Sequence, residues 1–206
     1  CQREGVKISF VRPLLRPPTH SLATDTGAST GWCGKAVMML VSDMLRVAPV
    51  TIHVPLKAVP DLLTHDLIVT TIKTIHRAMA RDCGVPDPRI AVAGMNPHAG
   101  ERGTRGREEE DVATPAIASL RAAGINAFGP LPADTMFHAS ARATYDVAVT
   151  MYHDQGLIPI KTLAFDTGVN ATLGLPFIRT SPDHGTAFEL AGRGTASPMR
   201  LLSAIH

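Results

Sequence analysis

Aromatic residues are scarce. One Trp, two Tyr and six Phe among 206 residues leave the core to Leu, Ile, Val, Ala and Met, and an apolar fraction of 45% supplies them. Cysteine is scarcer still: Cys1, Cys33 and Cys83 lie far apart and form no C-x-x-C. An odd, sparse set argues against a disulfide scaffold and for a reducing, cytoplasmic setting. No apolar run approaches membrane-spanning length, and no signal-peptide pattern stands at the N-terminus. Charge is never massed in one sign. The net charge is +2, and Arg102, Arg105 and Arg107 are followed at once by Glu108, Glu109, Glu110 and Asp111. That excludes a basic stripe for nucleic acid. A starting Met is also missing: the chain opens on Cys1, as expected of a processed, trimmed or partial protein.

What is present reads as alternating strands and helices. Residues 1–34 are rich in Pro and Arg and carry little periodicity, so they are expected to be poorly ordered. Ala36–Val41 and Leu45–Val54 read as a hairpin, with Pro49 implying an edge position or a bulge. Thr64–Arg81 is the clearest helix. Thr64 can cap it, Leu67, Ile68, Ile72, Ile75 and Met79 share one face, and Gly84 ends it. Arg89–Met95 is a buried strand. A helix opens at Glu108–Asp111 and stops at Gly124, Ile125–Phe128 is a short strand, and Val147–Met151 is another buried strand. This order indicates an α/β fold with a largely parallel sheet.

The polar chemistry gathers where apolar strands end, which is where open α/β sheets build their sites. Asn96-Pro97-His98-Ala99-Gly100-Glu101 follows one strand and Tyr152-His153-Asp154-Gln155-Gly156 another, while His53 lies near the end of the hairpin. His53, His98 and His153 are 45 and 55 residues apart, too far for a zinc finger. They fit ligands delivered by separate elements of a sheet, and neutral imidazole suits Zn or Co. Three such ligands leave a coordination position open for a substrate oxygen. Lys161, Asn170 and Arg179 offer two cations and an amide, a set suited to a carboxylate or phosphate. Asp183-His184-Gly185-Thr186-Ala187 leads into an expected helix, where free N–H groups can receive phosphate.

Gly94–Glu101, Gly129–Thr135, Met151–Gly156 and Val169–Thr186 together closely resemble the 4-hydroxythreonine-4-phosphate dehydrogenase family of pyridoxal phosphate biosynthesis, in the same order and at similar spacing. The resemblance runs from about Lys35 to the end. It implies α/β/α layering like that of the isocitrate and isopropylmalate dehydrogenases. It also implies a homodimer with an active site shared between subunits, and a divalent metal (Zn, with Co or Mg as alternatives) on His53, His98 and His153. Substrate would meet Lys161, Asn170 and Arg179, and His184, Gly185, Thr186 and Ala187 would form the loop for NAD or NADP. The implied reaction is oxidation of 4-phosphooxy-L-threonine with decarboxylation to 3-amino-2-oxopropyl phosphate. Lys161 and Asp154 would be its catalytic side chains.

The chain departs from the family in places. A Gly-His-Thr-Glu segment that binds phosphate has its nearest match in Pro18-Thr19-His20-Ser21, so His20 and Ser21 are carried over to that role. Arg102 stands where glycine is usual, and Pro182 replaces a small apolar residue. A substantial N-terminal segment has no counterpart. The expected division is therefore residues 1–34, a metal- and substrate-binding domain over 35–180, and a nucleotide-loop and helical segment over 181–206 returning toward an incomplete second domain. A sister dehydrogenase for another hydroxy acid or a dihydrodiol carboxylate, an inactive remnant that keeps the metal, and a metallohydrolase stay open as alternatives.

Overall fold

The computed structural model describes residues 35–183 and 197–205. His20, Ser21 and the loop His184–Ala187 lie outside them. One seven-stranded sheet organises the rest, in the order β4-β3-β5-β2-β1-β6-β7. The strands are β1 (Val37–Val41), β2 (Arg46–Pro49), β3 (Ile90–Ala93), β4 (Ala127–Leu131), β5 (Val147–Thr150), β6 (Val169–Leu173) and β7 (Arg179–Pro182). β4, β3, β5 and β2 run parallel. The β1–β2, β1–β6 and β6–β7 pairs are antiparallel, so the sheet is mixed, with its parallel half on one side.

Four helices are numbered here: α1 (His65–Asp82), α2 (Thr114–Ala122), α3 (His153–Ala164) and α4 (Met199–Ile205). α1 starts where expected: the Thr64 hydroxyl accepts from the Leu67 N–H at 3.1 Å and satisfies one of the helix's orphan donors. Its buried stripe of Ile68, Ile72, Ile75 and Met79 joins Ile117 and Leu120 of α2 against Met39, Ala48, Val92 and Val149 of the sheet. On the other face, Leu157 and Ile160 of α3 pack on Leu40, Val47, Ala91 and Ala148. Alternating strand residues thus feed two cores, one on each side. None of the described helices is long and apolar enough to cross a membrane.

Four local expectations are corrected. The second strand of the hairpin stops at Pro49 instead of running to Val54, and it lies inside the sheet instead of at its edge. The proline is tolerated because the Val50 N–H donates to Thr150 O on the β5 side. The Pro49 nitrogen therefore faces β1, whose pairing has already ended at Val47. The strand expected to end at Phe128 continues through Gly129 and Pro130 to Leu131, at the true edge of the sheet, where proline costs little. The polar cluster after β5 is the first turn of α3. β7 crosses the division expected at residue 180, so residues 181–183 continue the same sheet.

Candidate active site at the ends of the parallel strands

β5 lies between β3 and β2, and all three point the same way. Adjacent strands are about 4.8 Å apart, so the loops leaving their C-terminal ends are neighbours. Those loops carry His153, His98 and His53 respectively. The His53 and His153 rings stand 5.5 Å apart, centroid to centroid. Within one chain, among the described residues, no group of three or more His, Cys, Asp or Glu converges closely enough to hold a metal. The topology brings two of the expected ligands together and puts the third on the adjoining loop.

The backbone around these histidines is unusual. His53 has φ 49°, and His98, Ala99, Glu101 and Arg102 have φ of 53°, 51°, 42° and 56°. Left-handed conformations cost non-glycine residues about 1–2 kcal/mol each and persist only where surroundings impose them. The surroundings here are specific. Glu109 is 3% exposed, and its carboxylate accepts from the Asn96 N–H at 2.7 Å and from Asn96 Nδ2 at 2.9 Å. Glu108 accepts from the same amide at 2.7 Å. The loop folds back so closely that a Cβ on Gly94 would lie 2.8 Å from Ala99 Cα. Glu109 itself opens a π-helical turn, Glu109–Ala113, ahead of α2. The acidic run read as a helix start thus also buries one carboxylate under the His98 loop.

His153 is the first residue of α3, and its Nδ1 is 2.6 Å from Asp154 Oδ1. A carboxylate on Nδ1 fixes the ring and leaves Nε2 for a ligand. Partial desolvation, and then the neighbouring His153 charge, hold His53 below the ordinary imidazole value, which favours its neutral, ligating form. Neutral imidazoles braced in this way suit a divalent ion of the Zn or Co type.

The anion-binding candidates gather on one sheet face. Asn170 pairs with Ser181 and Thr172 with Arg179 across β6 and β7. Cross-strand partners and residues two apart share a face, so Asn170, Thr172, Arg179 and Ser181 all lie opposite Ala171 and Leu173. Arg179 Nη1 donates to Thr172 Oγ1 at 2.7 Å. Lys161, on α3, is 3.0 Å from Asp183 Oδ2 just beyond β7. Asn170 Oδ1 is buried and has no hydrogen-bond partner among the described residues; such an acceptor loses stability unless a donor arrives. An open groove of about 370 Å³ runs along α3, lined by His153, Asp154, Leu157, Ile158, Lys161 and Thr162. It runs from His153 to Lys161. The sequence puts Asp183 in the phosphate-receiving cluster and Glu109 at a helix start; only the fold sets them against Lys161 and Asn96.

Comparison with known proteins places the chain in a family. Residues 18–206 match the family model described as pyridoxal phosphate biosynthetic protein PdxA. A 4-hydroxythreonine-4-phosphate dehydrogenase of Roseobacter denitrificans is 60% identical over 93% of this chain and 63% of its own length. One from Methylorubrum populi is 61% identical over 82% of this chain and 49% of its own. The chain therefore spans about half to just under two thirds of these relatives. Among solved structures, the 4-hydroxythreonine-4-phosphate dehydrogenase of Klebsiella pneumoniae matches with TM-score 0.76 at 47% identity, covering 82% of this chain and 52% of that one. A terephthalate 1,2-cis-dihydrodiol dehydrogenase of Burkholderia xenovorans matches with TM-score 0.72 at 29% identity, covering 90% and 59%.

Proposed function

Because the chain belongs to the PdxA family of pyridoxal phosphate biosynthetic proteins, we propose that it carries the metal- and substrate-binding part of a 4-hydroxythreonine-4-phosphate dehydrogenase. The reaction is oxidation of the secondary alcohol of 4-phosphooxy-L-threonine with NAD or NADP, followed by loss of carbon dioxide to give 3-amino-2-oxopropyl phosphate. The observation that carries this reading is the set of three histidine loops at the ends of adjacent parallel strands, with the His53 and His153 rings 5.5 Å apart. His53, His98 and His153 would hold the ion, the third imidazole being completed by a second copy of the chain in a homodimer. When bound, the ion would lower the energy of negative charge at the substrate oxygen, and the nicotinamide would accept the hydride.

The chain's own side chains have separate tasks. Lys161 holds or moves the proton at the reacting hydroxyl oxygen and, being cationic, favours the oxyanion. Asp154 keeps the His153 ring oriented through Nδ1. Arg179, steadied by Thr172, offers a planar fork to a substrate carboxylate or phosphate. Asn170 Oδ1 accepts from the substrate's ammonium or hydroxyl, which would give that buried oxygen its donor. His20 and Ser21 at the phosphate, and His184–Ala187 at the cofactor, rest on the sequence resemblance alone.

The test is turnover. The purified chain, given zinc, NAD and 4-phosphooxy-L-threonine, is expected to form NADH and carbon dioxide in equal amounts. Stoichiometric metal without nicotinamide-linked turnover would instead mark a metal-binding remnant. The likeness to the dihydrodiol dehydrogenase favours a second reading, in which a cyclic dihydrodiol carboxylate replaces the phosphorylated substrate; NADH formation from such a dihydrodiol in the same assay, with none from 4-phosphooxy-L-threonine, decides for it. Arg179→Ala is expected to weaken substrate binding tenfold or more, since a charge-assisted bond contributes about 1.5–3 kcal/mol, with metal affinity unchanged. Equal substrate affinity in the two proteins would remove Arg179 from the site.

A further inference from the structure

The Tyr-His-Asp-Gln-Gly motif contains a side-chain amide that the proposed chemistry does not use. Gln155 lies one position beyond Asp154, half-buried in the first turn of α3. Its Oε1 accepts from the Met151 N–H at 2.7 Å, and its Nε2 donates to Gly94 O at 2.7 Å. Met151 is the first residue after β5, and Gly94 is the first after β3. Both ends of one amide are therefore spent joining the exits of two adjacent strands, each of which leads to a histidine loop. Gly94 is also the residue over which the His98 loop folds back.

The geometry points to Gln155 as a positioning residue that sets the His98 loop against the start of α3 and His153. The inference rests on the three-histidine reading of the site. The requirement is chemically narrow, because the strut must accept at one end and donate at the other over a fixed span. Glutamate matches the length but has no donor for Gly94 O and places negative charge against a carbonyl. Methionine matches the length and makes neither bond. Asparagine is one methylene short. Next to it, Gly156 lets the helix close down on β5: a Cβ there would lie 2.7 Å from Thr150 Oγ1. Helix and strut together fix where the imidazoles emerge. Residues that orient ligands in this way typically change metal affinity 10- to 100-fold when replaced.

The experiment is cobalt titration of the full chain, wild type against Gln155→Glu and Gln155→Met, reading affinity and the visible spectrum at a temperature where circular dichroism shows each protein folded. Both variants are expected to bind cobalt at least tenfold more weakly, with a changed ligand-field band. A purely structural glutamine would lower the melting temperature and leave both cobalt readouts as in wild type, and that result would overturn the inference. His98→Ala and His153→Ala, run alongside, separate the two failures: if they too bind cobalt as wild type does, it is the three-histidine reading that falls. Should neither Gln155 variant fold, hydrogen exchange of the wild-type Met151 amide decides. Zinc is expected to slow it at least tenfold by locking the strut, and unchanged exchange would overturn the proposal.

Discussion

The two ends of the parallel strands are built by opposite rules. At the N-terminal end, Asp146 receives the Arg89 N–H at 2.8 Å and a two-pronged guanidinium contact at 3.2 and 3.0 Å, clamping β5 to β3. Tyr145 is buried beside it, its hydroxyl donating to Met136 O at 2.7 Å, and burial pushes its pKa up to about 12. These groups answer one another locally, although Arg142 Nε close by is buried without a partner among the described residues. At the C-terminal end, five non-glycine residues hold left-handed backbone. Ion pairs and hydrogen bonds made in place stabilise a fold, whereas backbone strain collects where ligands bind. The same four strands therefore serve as scaffold at one end and as site at the other.

The contrast can be broken from either end. The largest effect is expected at Glu109, which holds the strained loop down. Glu109→Ala leaves the Asn96 N–H without its buried acceptor and should lower stability by about 3 kcal/mol, read by urea denaturation. A change below about 1 kcal/mol would mean that the His98 loop keeps its shape unaided. The Arg89 hydrogen bonds hold the Asp146 carboxyl below its ordinary range. Its contribution is therefore present above the unfolded-state value and is lost as pH falls through the lowered one. Asp146→Asn should be less stable than wild type at neutral pH, with the gap closing as the solution is acidified toward and below the ordinary carboxylate range. A gap constant with pH would contradict the clamp. The smallest effect is expected at Arg102, a non-glycine residue held in left-handed backbone. Arg102→Gly relieves that strain and, after the entropy glycine adds to the unfolded chain, should stabilise by about 0.5–1 kcal/mol. Destabilisation in thermal melts would show that the arginine side chain outweighs the strain.

The legible parts of the fold were those whose pattern is local. Ile68, Ile72, Ile75 and Met79 announce α1, and the apolar runs at Ile90–Ala93 and Val147–Thr150 announce buried strands. α3 is not legible locally, because Gly156 and Pro159 are poor helix residues. In the fold Gly156 is required by the close approach to Thr150, and Pro159 sits inside the helix at the loss of one backbone bond. β6 was readable in principle, since Val169-Asn170-Ala171-Thr172-Leu173 alternates strictly, but its polar members drew attention as ligand contacts. Within the site, the histidines and Lys161, Asn170 and Arg179 stand out by type and context. Glu109 and Gln155 do not. One is a carboxylate in an acidic run and the other an amide in a polar turn, and only packing reveals which run member is buried and which amide spans two strands.

Metal stoichiometry tests the central claim most directly. Equilibrium dialysis against zinc of the wild-type chain and of His98→Ala should give one ion per chain in the first and none in the second, with melting temperatures within a few degrees of each other. One ion per chain in both proteins would contradict a site assembled from the three strand-end histidines.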